Sequence, residues 1–459
     1  MSMYYNHNIF NVKNLILFIF NLTFLIYSVV VFYKIDFARD FLSICFIYIF
    51  VPLLLILFLN IIFFLKYDLY KKAITVFLAL SFSLFLLEFL IHFFLKDISK
   101  YNYINNQKEI LKKEFNFNSY EEQILQELKS GKTIYPSIYS VNGAKPITIL
   151  NKKYYAFGGV PNSKILFCND SGKYQIFESD RYGFNNPDII WEKNIDLVLL
   201  GDSYIMGHCI DQEKTISNTL NRSFNTLNLS YSMGGTLNSL GVLSEYALNL
   251  EPKLVIYFFY FNDLTDNVNE KKNLVMNKYI NNEKQNLLNI QSEINLKIKE
   301  IANDKIREIK NGNINKINKN LFFTFNPNIS DFNTIIRFTN IRQLFGIPNF
   351  KNNAHHYDYA LFSKILSKIN QKVEFEMNSD FLTIILPTYE MMNNKNSKNI
   401  IVKNKLIKIF ETLNISFIDF HEIFLKKNLE VGEIFKFNGS HYNEKGYQEI
   451  SNYLIEYIE

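Results

Sequence analysis

Read as apolar and polar positions, the chain changes character near residue 97. Before it lie three apolar stretches, 15–33, 41–65 and 73–95, each long enough to cross a hydrocarbon core, which takes about 20 residues. No small-residue cleavage site follows the first and two more come after it, so a cleaved signal peptide does not fit. The pattern predicts a transmembrane segment over 1–97 with three helices. Residues 98–181 are polar and irregular. They carry a short amphipathic helix over Glu121–Leu128 and two apolar pieces, Ile147–Leu150 and Lys164–Cys168, suited to antiparallel hairpins. This stretch reads as a connecting stalk or apron.

From Ile195 the period alternates between strand and helix. Strands are expected at Leu197–Leu200, Thr226–Leu229, Leu254–Tyr260, Phe381–Leu386 and Ile415–Ile418. Helices are expected at Thr215–Phe224, Leu237–Leu250, Lys403–Leu413 and Asn443–Ile458. Such alternation implies a parallel sheet covered on both faces, within a domain over 182–459. An interruption over 267–378 is too long for a plain loop. Its residues Asn282–Lys310 form a charged helical pattern. Following the third strand, it is placed to act as a lid or recognition element, the blander alternative being a solvated excursion.

Charge alters this picture little. Lysine and arginine number 49 against 44 acidic residues, a net +5 spread along the chain, so no nucleic-acid footprint appears. Lys66, Lys71 and Lys72 crowd the second loop, whereas Lys34 and Arg39 in the first are offset by Asp36 and Asp40. The positive-inside tendency then makes the second loop cytoplasmic and the C-terminal part extracytoplasmic. Glu88 and His92 share one face of the third stretch near its outer end. Helix pairing or interfacial exposure accounts for them there; a relay role is the sharper alternative. Of three cysteines, Cys45 is in an apolar stretch, and Cys168 and Cys209 are either free thiols or a disulfide formed in an oxidising compartment. No Cys-x-x-Cys occurs, so a structural zinc site is not expected.

The chemistry gathers at the ends of the expected strands. Gly201-Asp202-Ser203 follows the first, Ser232-Met233-Gly234-Gly235-Thr236 the second, and Phe261-Asn262-Asp263 the third. Asn438-Gly439-Ser440-His441 precedes the last helix. Acyl transfer needs a nucleophile, a base and donors for the oxyanion. Ser203 can be the first and His441 the second. The Ser203 N–H, a glycine N–H from Gly234 or Gly235, and the Asn262 amide can be the third. His208, His421 and the adjacent His355-His356 compete poorly as bases or ligands.

This order and spacing resemble the SGNH (GDSL-like) hydrolases over Tyr182 to Glu459. The runs Tyr257–Asn267 and His441–Tyr447 look like membrane-tethered bacterial members associated with envelope polysaccharides. The resemblance implies a flavodoxin-like three-layer α/β sandwich with a parallel sheet behind three transmembrane helices. It also implies Ser203 as nucleophile, Gly234, Gly235 and Asn262 as the oxyanion hole, and His441 as base. The partners it implies are the bilayer of a bacterial inner membrane and an acylated glycan or lipid, met by an extracytoplasmic domain; no cofactor or metal is implied. The family usually carries aspartate three residues before the histidine, where this chain has Asn438. In a serine-protease triad the equivalent change costs about 10⁴-fold. Three readings follow: a Ser-His dyad held by Asn438 or a backbone carbonyl, another acid such as Asp419, or a weak or silent domain that binds glycan or serves envelope assembly.

Overall fold

The computed structural model describes residues 67–94, 118–138, 146–170, 173–311, 357–394, 397–436 and 440–459. The chain divides into two compact units, and of the first only 67–94 is described. These residues form one helix, α1 (Tyr67–Phe94), with Phe82, Leu84, Leu86 and Leu87 exposed and Glu88 buried. Among the described residues no helix is long and apolar enough to cross a membrane. Lys71 and Lys72 precede the apolar run of α1, and Glu88 interrupts it. The expected spans 15–33 and 41–65 lie outside the described residues, so the three-helix expectation gains no support here.

The second unit is built on five strands: β6 (Leu197–Leu200), β7 (Thr226–Asn228), β8 (Leu254–Phe259), β9 (Asp380–Ile385) and β10 (Ser416–Asp419). Their order across the sheet is β7-β6-β8-β9-β10, and every pairing is parallel. This is the 2-1-3-4-5 order of flavodoxin-like sheets, whose switch point lies between β6 and β8. The central strands β6 and β8 are apolar on both faces because helices cover both. Alternate residues take opposite sides. Val198, Leu200, Val255, Tyr257 and Phe259 pack with α5 (Thr236–Val242), α9 (Tyr359–Gln371) and α11 (Lys398–Thr412). Leu197, Leu199, Ile256, Phe258 and Ile384 pack with α4 (Ile216–Leu220), α12 (Phe420–Lys426), α13 (Val431–Ile434) and α14 (Glu444–Ile458). The expected three-layer parallel α/β architecture is therefore present.

Residues upstream of β6 supply two small sheets. β2 (Ile147–Ile149) and β3 (Lys152–Tyr154) form an antiparallel hairpin. β4 (Lys164–Leu166) pairs antiparallel with β5 (Ile176–Glu178) and parallel with β1 (Tyr135–Pro136). Tyr155, Phe157, Ile165 and Phe177 are buried in the same core as β6 and β8, so this region is packed onto the domain. α2 (Tyr120–Lys129) starts with a capping box between Ser119 and Glu122.

After β8 come α6 (Asp263–Glu270), α7 (Leu274–Ile280) and α8 (Gln291–Lys310). α6 and α7 pack on α5, while α8 lies along β1 and β2. Residues 321–346, the more apolar part of the interruption, lie outside the described residues.

Candidate active site

Ser203 opens α3 (Ser203–Met206), directly past the carboxyl end of β6 at the switch point. Asp202 caps this helix, its Oδ1 accepting from the Tyr204 N–H at 2.9 Å. Gly207 ends it with φ +85°, and a Cβ there would strike the Thr215 side chain, so only glycine makes this turn. The turn leads to His208 and Cys209.

His441 reaches the same place from the other end of the chain. The two residues that follow it are fixed by hydrogen bonds. The Tyr442 hydroxyl donates to Pro387 O at 2.7 Å, and the Asn443 N–H donates to Ile434 O at 2.7 Å. Asn443 then caps α14 through the Gly446 N–H at 3.0 Å. His441 Nε2 lies 3.0 Å from Ser203 Oγ.

The other ring nitrogen meets a residue that sequence reasoning missed. Asp170 Oδ2 lies 3.1 Å from His441 Nδ1 and 3.5 Å from the His441 N–H. An ionised carboxylate only accepts, so the proton sits on Nδ1 and Nε2 is free to accept from Ser203. Burial raises the Asp170 pKa, but hydrogen bonding and charge from His441 outweigh it, leaving the carboxyl below its ordinary value. Asp170 comes from the tip of the β4–β5 hairpin. It lies two residues past Cys168, whose disulfide to Cys209 spans 5.3 Å between Cα atoms. These two cysteines, one near Asp170 and one six residues after Ser203, were the available signal.

The alternative acid read from the sequence, Asp419, falls elsewhere. Asn438 lies outside the described residues. Asp419 is held by Lys403 Nζ at 2.7 Å and by the His421 N–H at 2.9 Å, away from His441. His208 does not serve as base to Ser203. Its ring stacks on His441 at 4.1 Å between centroids, and its Nδ1 lies 3.1 Å from Ser232 Oγ. Burial and the neighbouring His441 hold its pKa well below the ordinary histidine value, so it stays neutral. A His208 ring nitrogen and the Cys168 and Cys209 sulfurs lie within 4.8 Å of one another, but sulfurs bonded to each other offer no thiolate to a metal.

The glycine pair is not placed as expected. The Gly234 N–H donates to Tyr231 O at 3.2 Å, and the Gly235 N–H to Glu270 Oε1 at 2.6 Å. Glu270 also accepts from the Asn238 N–H, so its carboxyl caps α5, and neither glycine is among the residues that border the pocket around Ser203 and His441. Burial pushes the Glu270 pKa up to about 8 against the pull of those bonds.

Asn262 does line the pocket, and its Nδ2 donates to Asp266 Oδ2 at 3.0 Å. The Ser203 N–H is in the first turn of α3, where an amide has no intrahelical acceptor.

The pocket encloses about 240 Å³ and is bounded by Ser203, His441, Asn262, Tyr204, Tyr260, Tyr389 and Glu390. Tyr204 and Tyr260 stack at 4.0 Å with their hydroxyls 2.8 Å apart. Tyr389 and Glu390 belong to α10 (Tyr389–Asn393), which sequence reasoning did not single out. Among the described residues of the 267–378 interruption none borders this pocket.

Among solved structures, a lipase/acylhydrolase from Enterococcus faecalis is similar at 12% identity and a TM-score of 0.31, over 57% of this chain and 95% of its own. A Bacteroides fragilis protein provisionally named an acylhydrolase is similar at 12% identity and a TM-score of 0.25, over 57% of this chain and 85% of its own. No family model and no curated protein matches the chain. The functional reading therefore rests on the site itself.

Proposed function

We propose that the protein is a serine esterase of the SGNH kind acting on short acyl esters. One observation carries this reading: Ser203, His441 and Asp170 stand in line, joined at 3.0 and 3.1 Å, at the wall of a pocket past a parallel sheet. Ser203 Oγ attacks the ester carbonyl carbon as His441 Nε2 takes its proton. Asp170 holds the ring and stabilises the imidazolium. The Ser203 N–H and the Asn262 amide, exchanged from Asp266 to substrate, meet the oxyanion. Collapse of the tetrahedral intermediate expels the alcohol, which carries off the proton from Nε2. Water or a sugar hydroxyl then takes the acyl group from Ser203, giving hydrolysis or O-acyl transfer.

The pocket volume of about 240 Å³ suits an acetyl group better than a long chain. Tyr260, Tyr389 and Glu390 at its border provide hydroxyl and carboxylate partners for a polar acceptor such as a glycan. Attachment to a bacterial inner membrane with the domain outside is part of this proposal. It is supported by the apolar stretches in 1–97, by the exposed apolar residues of α1, and by a disulfide that persists in oxidising compartments. An acylated envelope glycan or lipid is the proposed substrate. The silent-domain reading began from Asn438, and an acid at His441 removes its motive. A fluorophosphonate probe should label Ser203, and the chain should release nitrophenol from p-nitrophenyl acetate faster than from the decanoate. Absence of labelling at neutral pH would defeat the proposal.

A further inference from the structure

We infer that the Cys168–Cys209 disulfide is a positioning element for Asp170, so that catalysis depends on the redox state of this bond. The inference rests on the esterase reading above. The β4–β5 ladder extends only to Cys168 and Gln175, where the Gln175 N–H donates to Cys168 O at 2.9 Å. Beyond it Asp170 bonds to His441, at both the ring Nδ1 and the backbone N–H. Asp170 therefore sits two residues past the last ladder pair, within about 7 Å of chain from Cys168.

The disulfide ties that point to Cys209. Cys209 is buried, with φ +58°, just beyond the α3 helix that carries Ser203. Phe167 adds an edge contact to His208 at 4.4 Å between ring centroids. The nucleophile and the acid are thus linked covalently through one bond across 41 residues of sequence. A dithiol such as dithiothreitol delivers two electrons and two protons. The S–S bond breaks, two thiols form, and the reagent closes to its cyclic disulfide. The hairpin then keeps its ladder and its buried Phe167 but loses the covalent tie to the residue that follows the α3 turn.

The full-length chain, in detergent or nanodiscs, gives the test. Reduction, or the Cys168→Ser/Cys209→Ser double substitution, should lower kcat for p-nitrophenyl acetate by about tenfold or more with little change in KM. The same treatment in an Asp170→Asn background should change nothing further, because the partner it positions is gone. An equal fractional loss in both backgrounds, or no loss in either, would overturn the inference.

A second readout does not require turnover. The His441 Nδ1 proton, bonded to Asp170, should give a low-field proton resonance that disappears both in Asp170→Asn and on reduction. Its persistence after reduction overturns the inference even if the chain hydrolyses no ester. Loss of the cooperative melting transition together with that resonance would also overturn it, making the bond a staple of the whole domain. An oxidised chain that shows the resonance but takes no fluorophosphonate label would instead count against the esterase reading.

Discussion

The two sides of the His441 ring are built by different parts of the molecule. Nε2 faces Ser203, which a buried parallel strand delivers to the switch point of the sheet. Nδ1 faces Asp170, delivered by a hairpin tip from a region that lacks strong periodicity. The first side is fixed by strands sealed on both faces. The second is fixed by a short ladder, one disulfide and a few ring contacts. The placement of Asp170 therefore depends on a cross-link as well as on core packing through Ile165, Phe167 and Phe177, and the two sides should fail differently.

The largest effect is expected on the sheet side. Ser203→Ala should lower kcat/KM by about 10⁶-fold and abolish fluorophosphonate labelling. Next comes Asp170→Asn, with an expected loss of about 10⁴-fold in kcat, while Asn438→Asp should leave kcat unchanged. The reverse result would return the orienting role to position 438 and dissolve the contrast.

Asn262→Ala, also on the sheet side, should cost about 10²-fold in kcat if its amide turns from Asp266 to the oxyanion. Asp419→Asn separates structure from chemistry. Lys403 is buried between Asp419 and Glu422 and donates to His421 Nδ1 at 3.0 Å, which leaves the His421 Nε2–H to donate to Met391 O. The variant should lose about 1–3 kcal/mol of stability, read by urea titration, with kcat preserved.

The last effect is read in the pH dependence of stability. Glu270, neutral in the fold up to about pH 8, ionises near 4.5 when unfolded. The folded state thus binds the extra proton between these values, so this group's contribution is full below about 4.5 and falls as pH rises toward 8. Asp180, raised by burial to about 6, adds a decline over the lower part of that window. Glu270→Gln should flatten the fall of Tm with pH.

What could be read from the sequence follows the same division. Leu197–Leu200 and the run Leu254–Phe259 are apolar throughout because both sheet faces are covered, and that made their ends locatable to within a residue. Ser203 and His441 were legible because each sits at such an end or just before a strongly striped helix. Gly234 and Gly235 were assigned by their proximity to a strand end, yet Glu270, which draws the Gly235 amide inward, lies 35 residues on and carries no pattern to announce it. Asp170 was not legible for a related reason. It is 271 residues from His441, so the contact that reveals its place is long-range. Tyr389 and Glu390 belong to a helix of five residues, too short to show a period.

The hairpin position of Asp170 also bears on biogenesis. During synthesis the acid emerges before the nucleophile, and the base emerges last of the three. A ribosome that has not yet released the last helix holds a chain with Ser203 and Asp170 made but unjoined, and with no imidazole between them. The Ser203–His441–Asp170 line is thereby completed only once residue 441 has been made and has docked.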